Sequence, residues 1–129
     1  MLKRNAHELV AAAKALITEC TPQAAQARLA DGGVLLLDVR EPDEYAAGHL
    51  AGAINIPRGV LEFRLSGDAA LADTGRPVLV YCKTSGRAAL AARVMQEMGF
   101  ADVTSMAGGF DAWVAAGLPV QQPQALGYD

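Results

Sequence analysis

Residues 78–98 read VLVYCKTSGRAALAARVMQEM and combine a strand pattern with a helix pattern. The apolar run Val78–Tyr81 is continuous rather than alternating, which is typical of a strand buried on both faces of a parallel sheet. From Gly86 to Met98 apolar residues recur on one face of a helix. Between them lies the short polar loop CKTSGR, from Cys82 to Arg87. This stretch therefore predicts a strand, a tight loop and a helix in immediate succession.

The same alternation of apolar runs and helical segments extends along the rest of the chain. Four more apolar runs predict strands at Leu16–Thr18, Val34–Val39, Ala53–Ile56 and Val103–Met106. Helical patterns with recognisable starts or ends lie at Pro22–Ala30, Pro42–Ala47 and Phe110–Ala115, and an added amphipathic helix is predicted from Ala6 to Ala15. The pattern indicates an α/β domain with a central, mostly parallel five-stranded sheet and helices on both faces.

Length and composition favour a single globular domain. The chain has 129 residues, of which 52% are hydrophobic and 19% charged, so it is long enough for one core and too short for two ordinary domains. We divide it into an N-terminal helical extension (1–15), the domain itself (16–120) and a flexible C-terminal tail (121–129).

Charge and cysteine content exclude several classes of function. The net charge of -3 provides no basic surface for nucleic acid, and no run approaches the roughly 18 apolar residues of a membrane helix. The chain has two cysteines, Cys20 and Cys82, without the CxxC pair or His/Cys cluster of a zinc site. Charged residues interrupt the apolar N-terminal segment, which argues against a signal peptide. We expect a soluble, cytoplasmic protein that binds neither nucleic acid nor membranes.

The loop after the 78–81 strand carries the most distinctive chemistry. A turn between a strand and a helix leaves the amides of residues 83–87 without helical partners, so they can point inward and stabilise an anion. Lys83, Arg87 and the helix dipole add positive charge, which favours a reactive thiolate at Cys82. The alternative is that Cys82 is a small buried residue that closes a strand, and the polar loop favours the nucleophile. Cys20 has no such surroundings and is interpreted as a structural or incidental thiol, with a resolving role as a remote alternative.

The loop after the 34–39 strand, DVREPDEY, is the second polar stretch at a predicted carboxyl end. We expect Asp38 to cap the following helix or to pair with Arg40, while Arg40 could support the cysteine loop or simply pair with an acid. Arg58 could reach the rim of the site, although an exposed, solvated arginine fits its position better. Glu44 and His49 are expected to fix the turn through hydrogen bonds.

Near the end of the domain, Gly108 and Gly109 are expected to serve backbone geometry and Trp113 to pack in the core.

Three blocks together resemble the rhodanese-like domain family. They are LLLDVREPDEYAAGHLAGAINIP (35–57), the cysteine loop VYCKTSGRA (80–88) and MAGGFDAWVAAGLPV (106–120). Their order and spacing match the family across residues 16–120, and the chain is similar to a free-standing, single-domain thiosulfate sulfurtransferase.

The resemblance implies sulfur transfer without a metal or organic cofactor. Cys82 would accept sulfane sulfur from thiosulfate or a persulfide, carry it as a persulfide, and pass it to cyanide or a thiol; a thioredoxin-like protein is one candidate acceptor. The amides of Lys83, Thr84, Ser85, Gly86 and Arg87 would surround the charged sulfur, with Asp38, Arg40 and Arg58 as supporting candidates.

Loop length distinguishes a sulfurtransferase from the related phosphatases and arsenate reductases. Six residues run from Cys82 to Arg87, as in sulfurtransferases of this fold, whereas the related phosphatases and arsenate reductases use a loop one residue longer; here position 88 is alanine. A smaller loop suits one sulfur atom better than a tetrahedral phosphate. A phosphatase or arsenate reductase is one alternative, and a non-catalytic interaction or sulfur-carrier module is another.

Overall fold

A computed structural model describes residues 1–122 and contains one five-stranded sheet. The strands are β1 (Thr18–Cys20), β2 (Leu35–Asp38), β3 (Ile54–Asn55), β4 (Val78–Tyr81) and β5 (Val103–Met106). They lie in the order β1-β5-β4-β2-β3, and every adjacent pair is parallel. The predicted α/β class is confirmed.

Six α-helices and two short 3-10 helices connect the strands. The α-helices are α1 (Ala6–Lys14), α2 (Pro22–Ala30), α3 (Pro42–Ala47), α4 (Leu61–Gly67), α5 (Gly86–Glu97) and α6 (Gly109–Ala115); the 3-10 helices are Arg58–Val60 and Ala69–Leu71. None of the helices described is both long and apolar enough to cross a membrane.

The sheet separates two hydrophobic cores. Leu35 and Leu37 of β2 face one core with residues of α4 and α5, while Leu36 between them faces the other with residues of α2 and α6. All four residues of β2, and likewise all four of β4, are buried. This explains why the central strands read as continuous apolar runs.

One predicted strand is shifted in the structure, and one helix was not predicted. The first strand begins at Thr18 rather than Leu16, which is exposed. Helix α4 has no counterpart among the predicted elements; it buries Leu61 and Leu65 one turn apart against the core.

Parallel register brings the two polar loops to the same edge of the sheet. Asp38 at the end of β2 lies opposite Tyr81 at the end of β4, so the residues that follow each strand leave the sheet side by side. β5 ends on the other side of β4. The two loops that hold most of the predicted site residues therefore meet at this edge.

The C-terminal segment remains paired with the domain as far as Gln121. Gln121 and His49 form an antiparallel bridge in which each amide donates to the other's carbonyl, at 2.8 and 2.9 Å. The predicted tail therefore starts with an ordered residue, and residues 123–129 lie outside the described part of the chain.

Candidate active site

The sulfur of Cys82 lies at the N-terminus of α5. The residue follows β4 directly and is only 1% exposed. Its Sγ accepts a hydrogen bond from the amide of Ala88 at 3.3 Å. Ala88 is the third residue of a 12-residue helix, so the sulfur lies where the helix dipole favours negative charge. Cys82 is thus buried, as expected of a residue that closes a strand. Its sulfur also accepts an amide hydrogen bond, as expected of a nucleophile.

Five backbone amides of the loop have no acceptor within residues 1–122. Those of residues 83–87 donate no hydrogen bond to any described residue. An amide without a protein partner needs another acceptor, which is water or a bound anion. The loop can therefore solvate a negatively charged group close to Cys82.

Helix α6 holds the loop from the side of β5. The amide of Phe110 donates to the carbonyl of Cys82 at 2.8 Å, and that of Asp111 donates to Lys83 at 3.0 Å. Gly109, at φ 59°, lies so close that a Cβ atom there would overlap the carbonyl oxygens of Cys82 and Thr84. The expectation that this glycine serves backbone geometry is confirmed, and the close approach gives the reason.

Arg87 is anchored to Glu44 on α3. Its Nη1 and Nη2 donate to the two carboxylate oxygens at 2.7 and 3.1 Å. These hydrogen bonds lower the pKa of Glu44 to about 2. They are also the chief reason that the pKa of Arg87 is raised, and its charge interaction with Cys82 is a smaller contribution in the same direction. Arg87 therefore closes the loop by an ion pair while remaining within electrostatic reach of the sulfur.

Lys83 is directed toward Asp111 rather than into the loop. Its Nζ lies 2.7 Å from the Asp111 carboxylate, and both side chains are about half exposed. Exposed pairs of this kind contribute at most about 1 kcal/mol. The pair mainly orients the Lys83 side chain toward Asp111.

Asp38 and Arg40 form a buried ion pair with each other. Arg40 Nε and Nη2 donate to the Asp38 carboxylate at 2.8 to 3.1 Å, and Nη2 also donates to the carbonyl of Gly48 at 2.6 Å. The guanidinium carbon lies 4.3 Å from the centre of the Phe110 ring. Burial lowers the pKa of Arg40, but its hydrogen bonds and charge interaction with Asp38 raise it overall. The expected pairing of Asp38 with Arg40 is confirmed. Asp38 does not cap α3, because Glu41 is the residue at that helix's N-cap.

The Arg58 side chain makes no hydrogen bond or ion pair with a described residue of the cysteine loop. Its Nη1 donates to Glu62 at 2.8 Å, and the side chain lines a groove beside α1 and α5 with Leu90 and Arg93. It is half-buried rather than solvated as expected, because the ion pair and the groove cover it.

The turn residues behave as expected. Glu44 also accepts the amide of Glu41 at 2.9 Å. His49 Nδ1 donates to the carbonyl of Tyr45 at 2.9 Å, and the two rings stack at 3.7 Å. These contacts confirm a role for both residues in fixing the turn. Trp113 packs in the second core, also as expected.

Helix α1 contributes residues that the sequence did not point to. Lys14 Nζ donates to Ser85 Oγ at 2.8 Å. A cavity of about 340 Å³ lies between α1 and residues 84–86 of the loop, and His7, Val10 and Lys14 are among the α1 residues that line it. Sequence gave no signal for this contact, because 71 residues separate Lys14 from Ser85.

Cys20 is the second cysteine of the chain. Burial raises the pKa of the Cys20 thiol, which fits its interpretation as structural. Residues 1–122 contain no group of three or more His, Cys, Asp or Glu side chains placed to hold a metal ion.

Comparison with known proteins identifies the family. The family model described as "Rhodanese-like domain" matches residues 21–116, a range that includes β2 to β5 and the cysteine loop. The chain belongs to the rhodanese-like domain family. The match confirms the family that the three sequence blocks predicted.

Curated relatives carry sulfur-transfer names. The chain is 31% identical over 110 residues to a sulfurtransferase from Allochromatium vinosum, covering 84% of this chain and 99% of that one. It is 37% identical over 90 residues to the thiosulfate sulfurtransferase GlpE of Pseudomonas paraeruginosa, covering 68% and 77%.

Two solved structures share this architecture, and they are described with different activities. A protein of unknown function from Rhodopseudomonas palustris, described as a possible tyrosine phosphatase, superposes with a TM-score of 0.86 at 29% identity over 94% of this chain and 97% of that one. The homodimeric polysulfide-sulfur transferase of Wolinella succinogenes superposes with a TM-score of 0.74 at 35% identity over 94% and 89%.

Proposed function

We propose that this rhodanese-like domain is a sulfurtransferase whose Cys82 carries sulfane sulfur as a persulfide. The observation that carries the proposal is the position of Cys82 Sγ, which accepts the Ala88 amide at 3.3 Å at the start of α5. A thiolate is the form that attacks sulfur. An amide donor and a helix N-terminus both stabilise that form.

The reaction proceeds in two displacements at sulfur. The Cys82 thiolate attacks the outer sulfur of thiosulfate; an S–S bond forms to Cys82, and the original S–S bond breaks with its electron pair leaving on sulfite. A cyanide or thiolate acceptor then attacks the outer sulfur of the persulfide and takes it away, and the electron pair returns to Cys82. The free amides of residues 83–87 solvate the negative charge that the outer sulfur carries between the two steps.

Burial and charge favour sulfur transfer over phosphate hydrolysis. Cys82 is only 1% exposed, which suits a donor that presents a single terminal sulfur atom. Arginine recognises phosphate through a bidentate fork, and the fork of Arg87 is already directed to Glu44. A phosphate would have to displace that carboxylate. Phosphatase activity is kept as the second candidate because of the description given to the R. palustris structure.

Thiosulfate and polysulfide are the two donor classes that the relatives suggest. Both offer a terminal sulfur next to a good leaving group, and both are anions that the loop amides can solvate. The acceptor is a thiophilic nucleophile, cyanide in an assay and a small or protein thiol, such as a thioredoxin-like protein, in the cell.

Steady-state turnover tests the proposal. Purified protein is supplied with thiosulfate and cyanide, and thiocyanate is measured; the same preparation is tested with polysulfide and with an aryl phosphate. We expect double-displacement kinetics with a sulfur donor, and loss of turnover to background in Cys82→Ser because no other group carries the sulfur.

Cys20→Ser is the matched control and should retain wild-type turnover. Faster turnover of the aryl phosphate than of either sulfur donor would place the phosphatase first. Equal turnover by wild type and Cys82→Ser would contradict the assignment of Cys82.

A further inference from the structure

The N-terminus of α5 is built differently from those of α1 and α2. In α1 the side chain of Asn5 accepts the amide of the third helical residue, Glu8, at 2.8 Å, and in α2 Thr21 accepts that of Ala24 at 3.1 Å. Both capping residues have extended backbones, with ψ near 174° and 162°. This is the ordinary arrangement for a helix that begins with Asn or Thr.

In α5 a sulfur atom occupies the place of the capping oxygen. Ser85 precedes the helix, and serine is a favoured capping residue, yet its side chain makes no capping hydrogen bond. Its ψ of −17° is far from the extended value seen at Asn5 and Thr21. The third amide, that of Ala88, donates to Cys82 Sγ instead.

The Ser85 hydroxyl is hydrogen-bonded to Lys14 instead of to the helix. Lys14 Nζ donates to Ser85 Oγ at 2.8 Å from the last turn of α1, and both side chains are partly buried there. Val10, one turn earlier, lies beside Gly86, since a Cβ atom at position 86 would be 3.6 Å from its Cγ2. The hydroxyl is thereby engaged by α1, and it does not accept the amide of Ala88.

We propose that Lys14 is a positioning residue that keeps the Ser85 hydroxyl from capping α5, so that the Ala88 amide stays available to the Cys82 sulfur. The proposal deepens the proposed function and rests on Cys82 being the reactive thiol. It makes helix α1, outside the residues that match the family model, a determinant of how reactive that thiol is.

Alkylation of Cys82 by iodoacetamide, followed across pH in a Cys20→Ser background, tests this role. In Lys14→Met the hydroxyl is released and competes for the Ala88 amide. We expect alkylation at neutral pH to slow by about tenfold, roughly the effect of losing one hydrogen bond to a charged group, and the midpoint of the pH profile to rise. Lys14→Arg, which can donate the same hydrogen bond, should restore the wild-type profile.

A double-mutant comparison separates this mechanism from a simple effect of charge. Once Ser85→Ala removes the competing hydroxyl, Lys14→Met should have no further effect. The other ion pairs around the loop, Lys83 with Asp111 and Arg87 with Glu44, are common to all the variants compared, so the charge that differs between them is that of Lys14.

Three results would overturn the proposal. One is an unchanged profile in Lys14→Met, and another is equal slowing by Lys14→Met with and without the Ser85 hydroxyl, which would assign the effect to charge. The third is slowing of the same size in Val10→Ala, which loosens the contact of α1 with Gly86 but leaves Lys14 intact. Alkylation requires only a reactive thiol, so failure here is distinguishable from failure of sulfur transfer, which thiocyanate formation measures separately.

Discussion

Arg87 illustrates how a single residue serves the loop through a remote partner. Sequence predicts a positive charge at the end of the loop, and the structure has that charge paired with Glu44, 43 residues earlier in the chain. The pair fixes the distance between α3 and the start of α5. Arg87 thereby holds the loop closed around Cys82.

The Glu44–Arg87 pair makes a prediction about stability and pH. The pKa of Glu44 lies well below its usual range, at about 2, because Arg87 binds the ionised form. The pair therefore stabilises the fold fully above the usual carboxyl range, and this contribution is lost as pH falls from about 4.5 toward 2. We expect Glu44→Gln to lower the free energy of unfolding at pH 7, and the difference from wild type to shrink below pH 4.5.

Urea unfolding at several pH values measures that difference. Glu97→Gln, which removes a mostly exposed partner 3.5 Å from Arg93, is the control and should change the free energy of unfolding by less than about 1 kcal/mol. A Glu44→Gln deficit that stays constant from pH 7 to the lowest pH at which the protein folds would show that the ion pair is not its source.

Local and remote contacts of single residues differ in how far sequence predicts them. His49 contacts Tyr45 in its own turn, and Arg40 contacts Asp38 and Gly48. These partners are at most eight positions apart, and such short spacing made the contacts predictable. The pairs Arg87–Glu44 and Lys14–Ser85 are brought together only by the sheet and by helix packing. No spacing rule predicts such partners.

At the scale of elements, the loop after β4 is held between α5 and α6. Two amides of α6 donate to the carbonyls of Cys82 and Lys83, which leaves the loop's own amides free to face an anion. Gly109 permits this approach because the helix backbone and the loop backbone are in direct contact there.

Gly109→Ala is expected to displace the loop. The added methyl group would overlap the carbonyl oxygens of Cys82 and Thr84 and meet Lys83 C at 2.8 Å, all of them backbone atoms. We expect a loss of stability well beyond the roughly 1 to 2 kcal/mol of a left-handed alanine, together with at least about a tenfold fall in thiocyanate formation because the backbone that carries Cys82 is displaced.

Gly117→Ala is the matched control. Gly117 also has a positive φ, 74°, but a Cβ there would have no neighbour within 4 Å. It should show only the conformational cost and keep its turnover. If the two variants lost stability and turnover equally, the loop contact would have no special role.

Sequence predicts the central elements well and the peripheral ones less well. β2 and β4 are buried on both faces, so their apolar runs are unambiguous. β1 is an edge strand whose residues are exposed or half-buried, and its hydrogen bonds to β5, not its apolarity, set its position. Helix α4 spans seven residues, with no capping side chain and a terminal glycine, so no pattern marked it.

For the whole molecule, the parallel sheet accounts for where the site lies. The two cores fix the strands from both sides, and the shared register delivers the ends of β2 and β4 to one edge. Sequence predicted this arrangement because strand and helix alternate so regularly. The role of α1 beside the loop was not predictable, because an amphipathic helix does not specify which surface it covers.

The most direct test of sulfur transfer is the intact mass of the protein after incubation with thiosulfate. We predict one added sulfur atom on the wild type and on Cys20→Ser, its removal when cyanide is added, and no addition on Cys82→Ser. Absence of the added sulfur on wild type, or an equal, cyanide-sensitive addition on Cys82→Ser, would contradict the proposal that Cys82 carries the sulfur.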